Sequence, residues 1–399
     1  MFVIQVVGAG LLLLASALAL PLVSELLAAA RGLVRRRPGS VGAPRTPRLI
    51  FLVPAHNEST MIEGCVRSLL VLRGPVADRR LVVIADNCSD DTAARARALG
   101  AECWERQDPA RGGKPQALAW AIGKLELAGW DAVVVIDADT EVDPDFVTAL
   151  GGEMPLERRL VQSYFATLNE WDNWLTRLAG LLARCRYEVT YPLKVRAGLN
   201  CPLTGNGMVI GARILEAEGW QHFSITENWE MYADFTSRGV DIGYARHALI
   251  RSHEVETLKQ GGTQRRRWLA GRLQVLGEYA LRILRSAKIG PLQKLDALTE
   301  LAAPSPILHV LAVMVVTAAA FACRADPMAR AAGVLASLSL LPLVLATVLV
   351  LARHPDPWGT VRALAMVPVY AGWRLVVAMG TLFRLRDRTW KKTERPARR

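Results

Sequence analysis

The sequence predicts an α/β protein: a doubly wound, mostly parallel sheet flanked by transmembrane helices. Three observations predict it. Between about residues 48 and 285, short apolar, β-branched runs alternate with helical stretches, and such runs suit strands buried on both faces. The first three runs each end in a cluster of polar residues, where ligands gather in sheets of this kind. Long apolar stretches lie on both sides of the region.

Composition narrows the class. The 399 residues are 51% hydrophobic and carry a net charge of +12. The mean hydropathy of +0.20 is high for a soluble protein. A basic excess calls for anionic partners. No basic groove with interleaved aromatics and no nucleic-acid reading module is recognisable, so nucleic acid is not expected; membrane lipids and nucleotide phosphate account for the charge. The six cysteines lack CxxC spacing, which argues against zinc or a disulfide framework and fits a reducing compartment.

Residues 1–34 read as an N-terminal transmembrane anchor. Val3 to Ala30 is apolar apart from Gln5, Pro21, Ser24 and Glu25, and Arg31, Arg35, Arg36 and Arg37 follow it. A cleaved signal carries its positive charge before the apolar core. Here the charge comes after, which places the C-terminal end of the segment inside.

Residues 48–285 form the predicted cytoplasmic domain. Strands are expected over 49–53, 81–85 and 132–136, with helices over 61–72 and 92–99. A helix opening at Gln264 with Arg265, Arg266, Arg267 and Trp268 reads as an interfacial helix, arginines at the head groups and Trp268 at the boundary.

Residues 300–383 hold a C-terminal membrane hairpin plus a third segment. Ile307–Cys323 and Ala331–Ala352 approach the roughly 20 residues that span a bilayer. The segment 361–383 carries Arg362, Arg374 and Pro368 and reads as interfacial or re-entrant. That leaves the basic tail, 384–399, in the cytoplasm. The expected location is the inner, cytoplasmic membrane, multi-pass, with the catalytic domain on the cytoplasmic side.

The chemistry sits at the strand ends. Asp137-Ala138-Asp139 follows the third run, and two carboxylates so spaced can converge on a hard divalent cation. Such an ion neutralises charge on a departing diphosphate. The competing reading is a solvated acidic turn before a helix at Pro144. Asp86, with Ser89, Asp90, Asp91 and Thr92, follows the second run; this is either N-cap chemistry or an acceptor for a base's imide N–H. Gly113-Lys114 supplies a cation on a glycine-flexed turn.

Taken in order, Pro54 to Glu58, Asp86 to Thr92, Gly113-Lys114, Asp137 to Asp139, Thr226-Glu227-Asn228 and Gln264 to Trp268 resemble glycosyltransferase family 2. The nearest branch is similar to bacterial membrane enzymes of exopolysaccharide synthesis, relatives of cellulose and hyaluronan synthases. The resemblance runs from Leu49 to Arg272 and extends loosely to Trp390 to Arg395.

It implies a GT-A fold and a nucleotide-sugar donor, commonly a UDP-sugar. Pro54, Ala55 and Glu58 would border the nucleoside, and Asp86 the base. Lys114 and Asp137 would lie near ribose or diphosphate, and Asp139 with Asp137 would hold Mg²⁺ or Mn²⁺. Asn206, Gln264, Arg267 and Trp268 would meet acceptor and diphosphate. The acceptor would be a growing glycan or a lipid-linked group, with polysaccharide-export proteins as further partners.

One position departs from the pattern. These relatives carry Thr-Glu-Asp, with the Asp as general base; here Asn228 stands third, and an amide takes no proton at neutral pH. Either Glu227 takes over, or the acceptor is already an anion, or the enzyme is degenerate. His253 is a candidate third metal ligand. Trp171 and Trp174 read as packing residues with sugar stacking as the alternative. Single-addition glycolipid synthesis and a non-catalytic assembly scaffold are the rival functions.

Overall fold

The computed structural model describes residues 2–35, 46–75, 78–303 and 305–382. The basic tail, the Trp390 to Arg395 segment, Arg36 and Arg37 lie outside the described residues.

Eight strands form one sheet: β1 Leu49–Ala55, β2 Arg79–Asp86, β3 Glu102–Arg106, β4 Ala132–Val135, β5 Thr140–Val142, β6 Leu160–Thr167, β7 Met208–Gly211 and β8 Ile242–Ser252. Their order is β3-β2-β1-β4-β7-β6-β8-β5. The first four strands are all parallel, as the buried apolar runs predict. β7 then lies antiparallel to both β4 and β6, and β5 antiparallel to β8. β1 has β2 on one side and β4 on the other, so the chain reverses its direction of growth there. The loops leaving β1 and β4 diverge at that point and open a crevice.

The antiparallel β7 matters for the site. It pairs Val135 with Met208, so the loop entering β7 sits against the carboxyl end of β4. Gly207 has φ +65° in that loop, and a Cβ there would lie 1.9 Å from Ser163 Oγ. Only glycine satisfies both conditions.

Apolar residues fill both sides of the sheet. One layer includes Ile50, Leu52, Val133, Met208, Tyr232 and Val275; the other includes Phe51, Val53, Ile62, Val134 and Phe146. The helices Lys114–Ile122, Glu227–Ser237 and Leu258–Arg285 cover the first face, and Ile62–Leu70 and Phe146–Gly151 the second.

Two local expectations are corrected. Thr140–Val142 is a strand, pairing Thr140 with Ser252, and the next helix begins at Phe146 rather than Pro144. The β-branched Thr140 and Val142 both face inward and are buried, which outweighs the local turn signal of the acidic residues. The helix bearing Gln264 starts earlier, at Leu258, where Thr257 Oγ1 accepts from Gln260 N at 3.4 Å. The cluster therefore lies in the second and third turns.

Among the described residues, two helices are long and apolar enough to cross a membrane, Gln5–Val34 and Pro327–Leu351, with mean hydropathies of 2.4 and 2.6. Two further pairs qualify only as bent units: Pro291–Ala302 with Pro306–Ala322, at 88°, and Pro357–Leu364 with Val367–Thr381, at 53°. Leu13, Leu14, Met314, Val344 and Val348 are exposed on these helices, as lipid-facing side chains are.

Candidate active site

The loops after β1 and β2 are tied to each other by side-chain bonds. After β1, Asn57 adopts φ +54°, and its Oδ1 accepts from Ser89 N at 2.7 Å. Glu58 N donates to Thr92 Oγ1 at 2.9 Å, and Thr92 N donates to Asp90 Oδ1 at 3.0 Å. The N-cap position of the next helix is Asp91, whose side chain makes no capping bond; the Ser89 to Thr92 run instead ties the first two loops together. Pro54 and Ala55 close β1 at the crevice.

Asp86 is buried, 3% exposed. Its Oδ1 accepts from Arg106 Nη1 at 2.5 Å and Asn87 Nδ2 at 3.1 Å, and its Oδ2 from Gly113 N at 3.2 Å. Arg106 also donates to Asp108 Oδ2 and to the Arg111 carbonyl, at 2.9 and 2.8 Å. Asp86 is thus the hub of a fixed polar network. Sequence reasoning missed Arg106, because nothing local marks a residue on β3 as the partner of one closing β2.

Lys114 occupies the middle. Its Nζ lies 2.6 Å from Asp137 Oδ1 and 3.7 Å from Glu227 Oε1, and it donates to the Gly205 carbonyl. Burial alone would pull the ammonium down; Asp137 and Glu227 outweigh it and hold Lys114 above its usual value. Asp137 N donates to Asn206 Oδ1 at 3.1 Å, and Asn206 Nδ2 donates to Thr140 Oγ1 at 2.7 Å. Asn206, buried in the β7 entry loop, therefore fixes the Asp137 backbone. Asp139 Oδ1 accepts from Thr140 Oγ1 at 3.2 Å and Ser252 Oγ at 3.3 Å.

The donor chemistry fits a hard divalent cation. Asp137 and Asp139 present carboxylates from the end of a rigid strand, and the Asp137 side chain is 38% exposed to the crevice. Among the described residues no three His, Cys, Asp or Glu side chains gather to hold an ion, so His253 does not complete a triad with them. Two carboxylates suffice for an ion that takes its remaining oxygens from phosphate and water.

Glu227 opens the helix Glu227–Ser237 and is 7% exposed. Burial raises its carboxyl above the usual range, although Lys114 pulls it back. Asn228 behaves differently. Its Nδ2 donates to the Leu203 carbonyl at 2.8 Å, and a Cβ on Gly205 would lie 3.7 Å from Asn228 Cγ. The amide clamps the Leu203 to Gly207 loop, a bond no carboxylate can donate. Asn228→Asp is accordingly expected to place an anion against a carbonyl, costing about 1–3 kcal/mol. Thermal unfolding in detergent should register the loss, and turnover should not rise.

The helix Leu258–Arg285 brings the last group. Arg267 sits near enough to Glu227 and Asp137 to feel both; burial lowers its guanidinium while those two carboxylates raise it, and the net is below its usual value. Gln264, one turn earlier, has a buried Oε1 without a partner. Trp268 is 39% exposed, with the Arg265 guanidinium 4.6 Å above its ring. A Cβ on Gly271 would lie 2.4 Å from Thr226 Oγ1, so this helix packs directly on the segment carrying Glu227. Gly261 admits Trp373: a Cβ there would lie 3.3 Å from Trp373 Cη2.

Trp174 packs with Tyr370 and Leu175, ring centroids 6.3 Å apart from Tyr370. Trp171 is 44% exposed, with His354 at 5.4 Å and the Arg177 guanidinium at 5.0 Å from its ring.

Strand order, the acidic pair after β4 and the Gln264 helix define the class. The chain belongs to the family described as glycosyltransferase like family 2, whose model matches residues 47–271. It is similar to the probable glycosyltransferase YdaM of Bacillus subtilis, 25% identical, with 58% of this chain and 57% of that one covered. It is also similar to the beta-monoglucosyldiacylglycerol synthase of Trichormus variabilis, 28% identical over 58% of this chain and 50% of that one. The chain therefore matches about half the length of these curated relatives. The mannosyltransferase PcManGT from Pyrobaculum calidifontis, solved in complex with GDP-Man and Mn²⁺, superposes with a TM-score of 0.60 at 18% identity, covering 95% of this chain and 99% of that one. That likeness supports the GT-A fold.

Proposed function

We propose that the protein is a metal-dependent glycosyltransferase that moves a sugar, with inversion, from a nucleotide-sugar donor to a hydroxyl acceptor at the cytoplasmic face of a membrane. The observation that carries this reading is the charge relay Glu227–Lys114–Asp137: a buried acid is joined through one ammonium to the acidic pair at the end of β4. Asp137 and Asp139 would hold Mg²⁺ or Mn²⁺, which supplies positive charge beside the leaving diphosphate. Lys114 adds a second cation there. Glu227 takes the acceptor's proton, helped by a carboxyl value shifted towards neutrality. The Asp86–Arg106 network borders the base and gives it fixed polar partners.

For the acceptor, a lipid hydroxyl is the favoured reading. The Trichormus relative is named for glycolipid synthesis, and among the described residues two helices are long and apolar enough to span a membrane, or up to four if each bent pair is one span. A growing exopolysaccharide is the second reading, favoured by the Gln264 to Trp268 cluster, and polysaccharide-export partners belong with it. Product length separates the two. Protein reconstituted in liposomes containing diacylglycerol, given labelled UDP-sugars, should yield one organic-extractable product; a ladder of polymer would establish the second reading instead. Nucleotide binding with no transfer to any acceptor would leave a scaffold and overturn both.

A further inference from the structure

The polar network around Asp86 reaches Lys114 through an unbroken run of bonds. Arg106 is its centre: 5% exposed, it donates to Asp86 Oδ1 at 2.5 Å, to Asp108 Oδ2 at 2.9 Å and to the Arg111 carbonyl at 2.8 Å. Asn87 closes the same two segments against each other. It adopts φ +50°, its Nδ2 donates to the Asp108 carbonyl at 3.2 Å, and its Oδ1 accepts from Asp108 N at 2.7 Å. Charge-assisted and reciprocal bonds thus tie the segment after β2 to the segment after β3.

The far end of the run is a hinge. Gly113, the N-cap of the helix Lys114–Ile122, has φ +109° and ψ 158°, a conformation that glycine alone adopts readily. A Cβ there would meet nothing within 4 Å, so packing does not hold the position. Its carbonyl accepts from Gln116 N and Ala117 N, both at 3.1 Å, and its N–H is held by Asp86 Oδ2 at 3.2 Å. The next residue is Lys114, whose Nζ lies 2.6 Å from Asp137 Oδ1. Arg106 sets how the Asp86 carboxylate is turned. The two side chains are only 6% and 5% exposed, so removing the guanidinium leaves a buried anion that must find other donors. The oxygen bonded to Gly113 turns with it.

We propose that Arg106 is a positioning residue that couples recognition of the nucleobase at Asp86 to the placement of Lys114 on the diphosphate. A base seated on Asp86 braces the Gly113 peptide, and the braced peptide presents the ammonium to the other half of the donor. The proposal rests on the nucleotide-sugar reading above and adds the connection between the donor's two halves.

The test is a double-mutant cycle on the full chain in detergent, with UDP, GDP and inorganic pyrophosphate as probes, Mn²⁺ present and calorimetry as the readout. With the tighter nucleotide, Lys114→Gln is expected to weaken binding about tenfold, the scale of one bond to a charged group. Arg106→Lys keeps the charge but cannot reach three partners at once. In that background the same Lys114→Gln change should weaken the nucleotide less than about threefold. With pyrophosphate, which has no base to brace the link, Lys114→Gln should cost less than with the nucleotide in the parent, and Arg106→Lys should erase that difference. A purely structural arginine would lower every affinity and leave the ratios alone. Gly113→Ala breaks the run at its other end without a clash and should reproduce the pattern of Arg106→Lys. An equal cost of Lys114→Gln with both probes in the parent, or an unchanged cost in either background, overturns the coupling. A parent that binds neither nucleotide instead sinks the donor reading of this site, and the coupling with it.

Discussion

Asp139→Asn is expected to lower sugar transfer by about 10²–10³-fold, the range for removing one group that stabilises charge on a leaving oxygen. The substitution keeps the shape of the side chain and its contacts with Thr140 and Ser252, so folding should survive. It removes half of the acidic pair that would hold the ion. The concentration of Mn²⁺ giving half-maximal rate should rise with the fall in turnover. Asp137→Asn should differ in one respect, because Asp137 also pairs with Lys114 at 2.6 Å: the ammonium then keeps the Gly205 carbonyl and, as its carboxylate partner, Glu227. Undiminished transfer by Asp139→Asn in the presence of chelator would remove the basis for a metal at this position.

Glu227→Gln carries the second large effect. If Glu227 takes the acceptor's proton, turnover should drop about 10²–10⁴-fold, the usual contribution of a positioned base, while nucleotide binding persists. Stability should move the other way. The Glu227 carboxyl is raised in the fold, chiefly by burial. A raised group contributes stability fully below its unfolded value, and that contribution is lost as pH rises through the folded value. Glutamine has no such loss. The melting temperature of Glu227→Gln relative to the parent should therefore climb as pH rises from about 4.5, the ordinary carboxyl value, through the raised range. Parallel stability profiles across that range would contradict the burial of an ionising group here, and full turnover would exclude Glu227 as the base.

What could be read in advance divides along physical lines. β1, β2 and β4 were legible because strands buried on both faces must be continuously apolar, and the apolar runs ending at Pro54, Asp86 and Asp137 have no other economical reading. β5 was not, because three residues between two acidic groups carry no periodicity; their partner, β8, is over a hundred residues away. The antiparallel entry of β7 was equally hidden, since direction within a sheet is set by crossovers and not by composition. In the candidate site, residues with a chemical signature could be named from the sequence. Those that act by holding others were missed: Arg106 behind Asp86, and Gly271 letting one helix reach Thr226. The departure at Asn228 was visible as a letter but not as a bond, and the Leu203 carbonyl gives it a use.

The indole of Trp373 against Gly261 has a mechanical consequence. The bent pair Pro357–Leu364 and Val367–Thr381 meets the helix of Gln264 and Arg267 through this ring, whose own face is stacked on Tyr370 at 5.4 Å. If that pair is seated in lipid, hydrophobic mismatch would alter its tilt, and the stacked rings would pass that tilt on to the helix that carries Gln264 and Arg267.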